Sequence, residues 1–345
     1  MSRLWLAALG AGISFGAQAA DPQAWLVDMS RAARTANYEG VMIYRGASTL
    51  ETFRVTHRFQ DGQERERVQS LTGEPREVLK QGDTVTCLLP KNRRLSTAPQ
   101  PTPQGLFPVL SPEQVARIAQ VYQLEDLGQQ RIAGRACQGV AIVPRDQFRY
   151  GYEIWADAET RVPIKVTLRD HRGETLEQMM FTEVQFPSEI PDTAFEIPPE
   201  RLAEYQAVVQ EVAPSPQALV AGDAPVKAGV AADQDARRPW AFQHLPQGFE
   251  VVMHVQRTLP GGAGRIQHWV LSDGLSAVSV FGREGQGSLT AAPRPLNAMG
   301  AVNAYRRLAG SMQITVVGEV PRQTIKLIAD GVLPETEHAV AEPGQ

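Results

Sequence analysis

Turn signals separate short stretches of alternating apolar and polar residues between positions 37 and 186. In one such stretch Phe53, Val55 and Phe59 alternate with polar or charged residues, which is the period of a strand that buries one face. Strands joined by tight turns pair as antiparallel hairpins. The pattern predicts a large curved antiparallel sheet rather than the strand and helix alternation of a nucleotide-binding fold. The turn signals lie at 60–62, 72–75, 81–83, 157–160 and 170–173.

Two helices are expected to pack against one side of this sheet. Asp21 is placed to cap a helix that begins at Pro22, and apolar residues recur after it at three- and four-residue spacing. A second helix is expected from Ser111 to Val121, with Pro112 as its first residue. The first domain is therefore predicted to be an antiparallel half-barrel with helices on its concave side.

The first twenty residues have the pattern of a secretory signal peptide. Arg3 precedes an apolar run that is shorter than the ~20 residues of a spanning helix, and small residues follow up to Ala20. We expect cleavage near Ala19 or Ala20 and export to the periplasm. Retention as an N-terminal anchor is the alternative.

The remaining chain divides into two globular parts joined by a linker. Residues 207–238 are dominated by Ala, Pro, Gly and Val without a periodic pattern, which is typical of a linker. The second part mixes strand and helix signals, so the predicted fold class is α+β in two domains. Its strands are expected at 249–258, 265–271, 275–281 and 312–317, and its helices at 298–308 and 321–329. The expected boundaries are 1–20 for the signal peptide, 21–206 for the N-terminal half-barrel, 207–238 for the linker, 239–332 for the smaller C-terminal α+β domain and 333–345 for a disordered tail.

Neither charge nor motifs indicate an enzyme. The 34 Lys and Arg against 38 Asp and Glu give a net charge of -4, which does not favour nucleic acid as a partner. The chain after the signal peptide contains no nucleophile elbow, phosphate-binding loop or metal-binding motif, and its histidines are scattered. We therefore expect a binding protein with no catalytic residue, no metal and no cofactor. A periplasmic hydrolase or isomerase is the alternative without support from residue spacing.

The two cysteines, Cys87 and Cys137, both lie in the first half of the chain. An even pair of cysteines in an oxidising compartment favours a disulfide. We therefore predict a bond between Cys87 and Cys137. Two buried free thiols are the alternative.

A set of basic residues and a proline-rich loop are candidates for binding. The basic residues could present cations on one face of the sheet and meet phosphate; a solvated strand face with Glu64 and Glu66 as cross-strand partners is the alternative. The loop, with four prolines from Pro99 to Pro108 around Phe107, could cover a cavity or simply pack on the sheet edge. The basic set comprises Arg54, Arg58, Arg65, Arg67, Lys91, Arg93 and Arg94.

Several segments of both domains resemble the RseB/MucB family of sigma-E regulatory proteins. The resemblance spans essentially the whole chain after the signal peptide. In the second domain the segments are Leu245–Phe249, His268–Phe281, Met299–Arg307 and Val316–Pro321, and in the first they are Tyr38–Val41, Gly134–Cys137, Pro144–Asp146 and Arg149–Tyr152.

The resemblance implies a periplasmic negative regulator of the envelope-stress response. Such a protein would bind the periplasmic domain of a single-pass transmembrane anti-sigma factor of the RseA or MucA type and protect it from the site-1 protease. It would release that domain when lipopolysaccharide or another acylated lipid binds. The resemblance also implies a LolA/LppX-like half-barrel and a homo-oligomer such as a dimer. A lipid or lipoprotein carrier of the LolA type is the alternative, against which the second domain argues.

Two sets of site residues follow as hypotheses. An acyl chain could lie in the curved sheet while the basic set pairs with head-group phosphates. Tyr305, Arg306 and Arg307, on the helix expected at 298–308, could contact the partner because Tyr and Arg are enriched in interfaces. Tyr305 in the core with solvated arginines is the alternative. The expected cavity residues are Phe53, Val55, Phe59, Val85, Phe107 and Ile154.

Overall fold

A computed structural model describes most of both domains. The described residues are 21–82, 84–89, 94–99, 110–203, 205–208, 240–258, 265–284, 294–310 and 312–334. The predicted signal peptide, residues 209–238 of the predicted linker and residues 335–345 of the predicted tail lie outside them, as do Lys91, Arg93 and Phe107. Within the described ranges, no helix combines the length and apolar composition that crossing a membrane requires.

The first domain is built on one twelve-stranded sheet. Its spatial order is β12-β6-β5-β4-β3-β2-β1-β11-β10-β9-β8-β7, and every pairing is antiparallel except that of β12 with β6. The predicted antiparallel meander is confirmed. The strands are β1 (Tyr38–Arg45), β2 (Leu50–Gln60), β3 (Gln63–Ser70), β4 (Glu77–Gln81), β5 (Thr84–Leu89), β6 (Arg94–Pro99), β7 (Tyr122–Ile132), β8 (Arg135–Pro144), β9 (Gly151–Asp157), β10 (Pro163–Arg169), β11 (Thr175–Gln185) and β12 (Gln206–Val208).

Two helices cover one face of this sheet, which we call the helix-covered face. In α1 (Pro22–Thr35) the Asp21 side chain accepts a hydrogen bond from the Gln23 backbone. In α2 (Pro112–Ile118) Ser111 and Gln114 cap each other's backbone N–H groups, so both predicted helix starts are confirmed. Their apolar sides form one core with the sheet. The fully buried members include Leu26, Met29, Ile118, Val55, Ile142 and Phe181.

The opposite face of β2–β4 is crossed by the chain that follows β11. This crossing segment, residues 188–203, contains a 3₁₀ helix (Asp192–Phe195) and the short α3 (Pro199–Leu202). Ile190 and Phe195 pack there against Leu79 of β4. The sheet is thus covered by α1 and α2 on one side and by the crossing segment on part of the other.

The second domain packs one helix against a six-stranded antiparallel sheet of order β14-β15-β16-β19-β18-β17. Trp269, Val280 and Val316 of the sheet form its core with Ile325 and Ile328 of the helix. The strands predicted at 249–258, 265–271, 275–281 and 312–317 are confirmed within a few residues. The elements are β13 (Trp240–Phe242), β14 (Glu250–Thr258), β15 (Arg265–Ser272), β16 (Ala277–Glu284), β17 (Arg294–Met299), β18 (Val302–Ala309), β19 (Met312–Gly318), α4 (Arg322–Asp330) and β20 (Val332–Pro334), which pairs with β13.

The helix predicted at 298–308 is wrong. These residues form the end of β17, a turn in which Gly300 has φ +59°, and most of β18. Ala, Arg and Leu favour a helix locally, but β18 pairs with β17 on one side and β19 on the other. Pairing on both sides outweighs a preference of a few tenths of a kcal/mol per residue.

Two short strands extend into the segments predicted as linker and tail. Ala207 and Val208, expected in the linker, lie in β12, which pairs with β6. Leu333 and Pro334, expected in the tail, lie in β20, which pairs with β13. In each case a short strand pairs with a strand that is distant in sequence, and local composition does not predict such a pairing.

The predicted disulfide is also wrong, because both cysteines are free thiols. Cys87 lies on β5 and Cys137 on β8, and seven strands (β4, β3, β2, β1, β11, β10 and β9) stand between them in the sheet. Neighbouring strands are ~4.8 Å apart, whereas a disulfide needs Cα atoms within ~7 Å. Burial raises the pKa of both thiols, which keeps them protonated and poorly reactive.

Candidate functional site at the domain junction

The two domains meet at a buried ion pair between Arg149 and Asp273. Arg149 Nη1 lies 2.7 Å from Asp273 Oδ2, and neither side chain is exposed. Within its own domain Arg149 donates through Nε and Nη2 to Asp146, at 3.0 and 2.9 Å. Nη2 also donates to the backbone oxygen of Gln247 at 2.6 Å. Burial lowers the pKa of Arg149, but the bonds to Asp146 and the charge of Asp273 outweigh it and raise the pKa overall.

Asp273 has a hydrogen-bond donor for both carboxylate oxygens. Tyr122 donates its hydroxyl to Oδ2 at 3.0 Å, while Oδ1 accepts the backbone N–H groups of Leu275 and Ser276 at 2.9 and 2.7 Å. Burial, followed by the charge of Asp273, raises the pKa of Tyr122 well above its usual value, so the hydroxyl keeps its proton. A buried carboxylate with this set of donors is held in one position.

The turn that carries Asp273 presses against the second helix of the first domain. Gly274 has φ +99°, and a Cβ at this position would approach the Ile118 side chain to 3.2 Å. The next residue, Leu275, is buried in the core of the first domain. Tyr122 begins β7, four positions after the end of α2, so both α2 and the start of β7 contact this turn.

A second contact is made by the turn between β17 and β18. The Glu177 carboxylate of β11 accepts the Ala301 backbone N–H at 2.6 Å. Asn303 is buried and donates through Nδ2 to the Tyr150 hydroxyl at 3.1 Å and to the Val320 backbone oxygen at 2.9 Å. This contact is polar, as in domain interfaces that can separate.

A third contact is made by the first turn of α4. Thr324 donates its hydroxyl to the Phe148 backbone oxygen at 2.7 Å, and Gln323 donates its amide to the Gln147 backbone oxygen at 2.6 Å. The loop from β8 to β9 thus receives hydrogen bonds from α4 on one side of Arg149 and provides Arg149 itself to Asp273.

The segments that carry the sequence resemblance converge on this junction. Asp146, Arg149, Gln247, Asp273 and Asn303 each come from a different one of them. Sequence reasoning did not single out Arg149 or Asp273, because a pair separated by 124 residues leaves no local pattern. Their shared membership of these segments was the one signal that could have indicated them.

Comparison with known proteins identifies the family. The MucB/RseB N-terminal domain matches residues 21–200 and the MucB/RseB C-terminal domain matches residues 234–333. The chain belongs to the MucB/RseB family. The sigma-E factor regulatory protein RseB of Salmonella typhimurium is 31% identical over 339 residues, which cover 96% of this chain and 98% of that protein.

Two solved structures of MucB resemble this member of the MucB/RseB family to different degrees. The Pseudomonas aeruginosa MucA/MucB complex matches with TM-score 0.68 and 26% identity, covering 92% of this chain and 99% of the other. MucB alone matches with TM-score 0.57 and 26% identity, covering 91% and 98%. With nearly equal coverage and identity, this chain is closer in overall structure to the complexed form.

The predicted basic set is placed mainly on the face opposite the helices, where it holds the crossing segment. Arg58 donates to the Ile190 backbone oxygen at 2.7 Å, and both Arg58 and Arg65 bind Asp192. Arg67 binds Glu77 at 2.6 Å and the Ala194 backbone oxygen at 2.8 Å. These bonds of Arg58, Arg65 and Arg67 do not go to Glu64 or Glu66, which lie on the helix-covered face. Arg54 is exposed on the same face, and Arg94 lies in β6.

The described members of the predicted cavity set differ in their exposure. Val55 and Ile154 are 0% and 2% exposed, in the core that α1 and α2 cover. Phe53 is partly buried at the edge of this core, Phe59 is 36% exposed and Val85 is partly buried beside Lys80. A lipid site formed by these residues and the basic set stays a prediction, since Lys91, Arg93 and Phe107 lie outside the described residues.

The predicted partner-contact residues lie on strand β18 and point to alternate faces. Tyr305 packs against the core of the second domain, and Arg307 on the same face donates to the Ala329 backbone oxygen at the end of α4 at 2.5 Å. Both side chains therefore stabilise the packing of α4 and the sheet within the second domain. Arg306 points to the other face, and its Nε is buried without a hydrogen-bond partner in the described part of the chain.

A cleft beside the edge strand β14 was not predicted. It has a volume of about 370 Å³. His254, Trp269 and Trp240 stack in series there, with ring centroids 4.5 and 4.2 Å apart. Val252 of β14 is 43% exposed at its rim. The lining residues are Trp240, Phe242, Leu245, Val251, Val252, Met253, His254 and Trp269.

Proposed function

We propose that this protein is a periplasmic negative regulator of a sigma-E-type envelope-stress response. It binds the periplasmic domain of a transmembrane anti-sigma factor of the RseA or MucA type and shields that domain from the site-1 protease. It acts by binding rather than by catalysis. The observation that carries the proposal is the match of both domains to a relative whose structure was solved with MucA bound. Export is supported by the signal-peptide pattern of residues 1–20.

The geometry of the junction supports a role for domain arrangement in partner binding. The chain is closer to MucB with MucA than to MucB alone, and the arrangement is fixed at the buried pair of Arg149 and Asp273. A partner that bridges the domains would gain affinity from this preorganisation, because it need not order them on binding. The junction holds the binding-competent arrangement.

Lipid binding is proposed as the release signal, and the packing of the helix-covered face suggests how it acts. Val55 and Ile154 are buried in the core that the sheet shares with α1 and α2, so an acyl chain that reaches them displaces part of this core. Movement of α2 is transmitted to the second domain, because Ile118 contacts the turn at Gly274 and Tyr122 binds Asp273. A ligand shifts such an equilibrium by its difference in affinity for the two arrangements.

The cleft at β14 is the proposed contact surface for the anti-sigma segment, in place of Tyr305 and Arg307. An outer strand can accept an extended peptide through backbone hydrogen bonds while a neighbouring apolar cleft holds one of its side chains. Trp240 and Trp269 give this cleft the aromatic character of interface hot spots. A homodimer is proposed as well, on the family resemblance alone, and sedimentation velocity of the chain from Asp21 measures it.

Calorimetry tests the proposed function directly. The chain from Asp21 is titrated with the purified periplasmic domain of the anti-sigma factor from the same organism, and lipopolysaccharide is then added. We expect saturable one-to-one binding per chain, weakened by lipopolysaccharide. Absence of binding by a folded chain contradicts the proposal, and binding of lipopolysaccharide or acylated peptide without binding of the anti-sigma domain favours a carrier.

A further inference from the structure

A cluster of buried charged groups lies on the helix-covered face, next to the end of α1. We call it the buried charge cluster, and it consists of His57 of β2, Glu64 and Glu66 of β3 and Lys80 of β4. His57, Lys80 and Glu66 are 0%, 4% and 6% exposed. The junction and the cleft at β14 do not involve it. Burying a charge costs free energy unless hydrogen bonds or opposite charges compensate for the lost water. The role of the cluster therefore follows from the partners of each of its four side chains.

The two ring nitrogens of His57 face two different acceptors. Nδ1 lies 2.8 Å from the backbone oxygen of Ala36, just after α1, and a carbonyl oxygen only accepts. Nε2 lies 3.3 Å from Oε1 of Glu64. Tyr38 stacks on the ring, with centroids 4.5 Å apart, and fixes its orientation. Nδ1–H donates to the carbonyl oxygen, and Nε2 adds a hydrogen bond to the ionised Glu64 when the ring carries a proton on both nitrogens.

Glu64 is the anion that this ring faces. Lys80 Nζ lies 2.7 Å from Oε1, and Arg34 of α1 lies 3.8 Å from Oε2. Burial favours the neutral acid, but hydrogen bonds from His57 and Lys80 prevail and lower the pKa of Glu64 to about 2. Glu64 therefore ties β2, β4 and the last turn of α1 together through one carboxylate.

Glu66 is the least satisfied member of the cluster. Its Oε2 is buried and has no hydrogen-bond partner among the described residues. Burial raises its pKa, against the opposing charges of His57 and Lys80 and with the help of Glu64. Among the described residues, the charged and titratable groups facing the cluster are Arg34 from α1, Tyr38 from β1, His57 from β2, Glu64 and Glu66 from β3 and Lys80 from β4.

We propose that the buried charge cluster is a proton-operated clamp that holds the end of α1 on β2–β4. Loss of the His57 proton leaves a ring-nitrogen lone pair facing Glu64 Oε1, and loss of a proton from Glu66 adds a second buried anion. The first change removes the hydrogen bond from His57 to Glu64, and the second leaves an ion buried without a hydrogen bond, so the clamp loosens as pH rises. Below the ordinary glutamate range Glu64 takes up a proton and the clamp also fails. The clamp is therefore closed in mild acid.

The clamp proposal does not depend on the proposed function. If the proposed function holds, the clamp affects release by lipid. α1 belongs to the core that an incoming acyl chain displaces in part, so loosening its end lowers the cost of lipid entry. If both proposals hold, a rise in pH weakens anti-sigma binding in the presence of lipid and leaves it unchanged without lipid.

Hydrogen exchange of the chain from Asp21 tests the clamp. Protection factors, which correct for the intrinsic pH dependence of exchange, are measured for residues 31–37 at about pH 5.5 and about pH 8. We expect protection to fall by about tenfold at the higher pH, the order expected for loss of one hydrogen bond between charged groups, while β8 and β9 stay unchanged. Equal protection of residues 31–37 at both pH values overturns the proposal without any variant.

Variants distinguish the cluster from general pH effects. Glu66→Gln removes one titrating group at nearly constant shape, and we expect it to reduce the pH dependence of residues 31–37. His57→Gln, which cannot become charged, is expected to reduce it further and to lower protection in mild acid. Glu125→Gln, on an exposed position of β7, is the matched control. An undiminished pH dependence in folded His57→Gln overturns the assignment to this cluster.

Discussion

Arg149 of the first domain and Asp273 of the second form an ion pair, 2.7 Å between Nη1 and Oδ2, in which neither side chain is exposed. A buried pair of this kind contributes little net stability compared with packed apolar residues, but the loss of one partner leaves an uncompensated charge. Asp146, Tyr122 and Gln247 complete its hydrogen bonds. The pair therefore specifies one arrangement of the two domains.

Arg149→Met is expected to lower the free energy of unfolding by about 3–5 kcal/mol, because Asp273 stays buried without its cation. Urea denaturation measures the change. Arg76→Met is the control, since Arg76 pairs with Glu51 at a half-exposed site where an ion pair is worth about 0–1 kcal/mol. In a double-mutant cycle with Asp273→Asn, the combined cost should be at least ~1 kcal/mol less than the sum. Strict additivity contradicts the coupling.

Glu64 predicts a specific form of acid sensitivity. Its pKa is lowered to about 2 in the folded state, so its stabilising contribution is complete above about pH 4.5 and is lost as pH falls towards 2. A displacement of this size corresponds to about 3 kcal/mol. Thermal unfolding across this pH range should show a shallower loss in Glu64→Gln than in Glu125→Gln. Equal slopes in the two variants count against the assigned contacts.

Val252→Asp tests the cleft at β14 as the partner surface. A charge at its rim should weaken binding of the anti-sigma domain by about tenfold or more, the cost typical of a disturbed hot spot. Val143→Asp is the matched control, because Val143 is 38% exposed on β8 and Val252 is 43% exposed. Calorimetry measures the affinity of both folded variants for the anti-sigma domain. Unchanged affinity for Val252→Asp places the partner elsewhere.

Gly282→Ala should disturb the second domain through Trp240. A Cβ at Gly282 would overlap the Trp240 ring, so the indole must move, at a cost of about 1–3 kcal/mol for overpacking. Chemical denaturation measures this cost. In a Trp240→Leu background, which lacks the indole ring, the same glycine substitution should cost clearly less. An equal cost in both backgrounds contradicts this packing.

The sequence predicts the elements whose causes are local. Asp21 and Ser111 cap helices through contacts with residues two or three positions away, and the alternation of Phe53, Val55 and Phe59 reflects burial of one strand face. The antiparallel order follows because tight turns join consecutive strands. The prediction failed at residues 302–309, where pairing with two neighbours outweighed helix propensity.

Contacts between distant segments account for what could not be predicted. Arg58 and Arg65 bind Asp192 across 134 and 127 residues, and Arg149 binds Asp273 across 124. Composition shows that such arginines exist but not which carboxylate each one meets. The basic set was therefore assigned to phosphate binding, whereas three of its members hold the crossing segment.

Protection of the anti-sigma factor from proteolysis tests the central claim most directly. The purified periplasmic domain of the anti-sigma factor is incubated with the site-1 protease, with the chain from Asp21 or with its Arg149→Met variant, and with or without lipopolysaccharide. We predict that the chain slows cleavage, that lipopolysaccharide restores it, and that Arg149→Met protects less well than the unaltered chain. Equal cleavage rates with and without the folded chain would contradict the account.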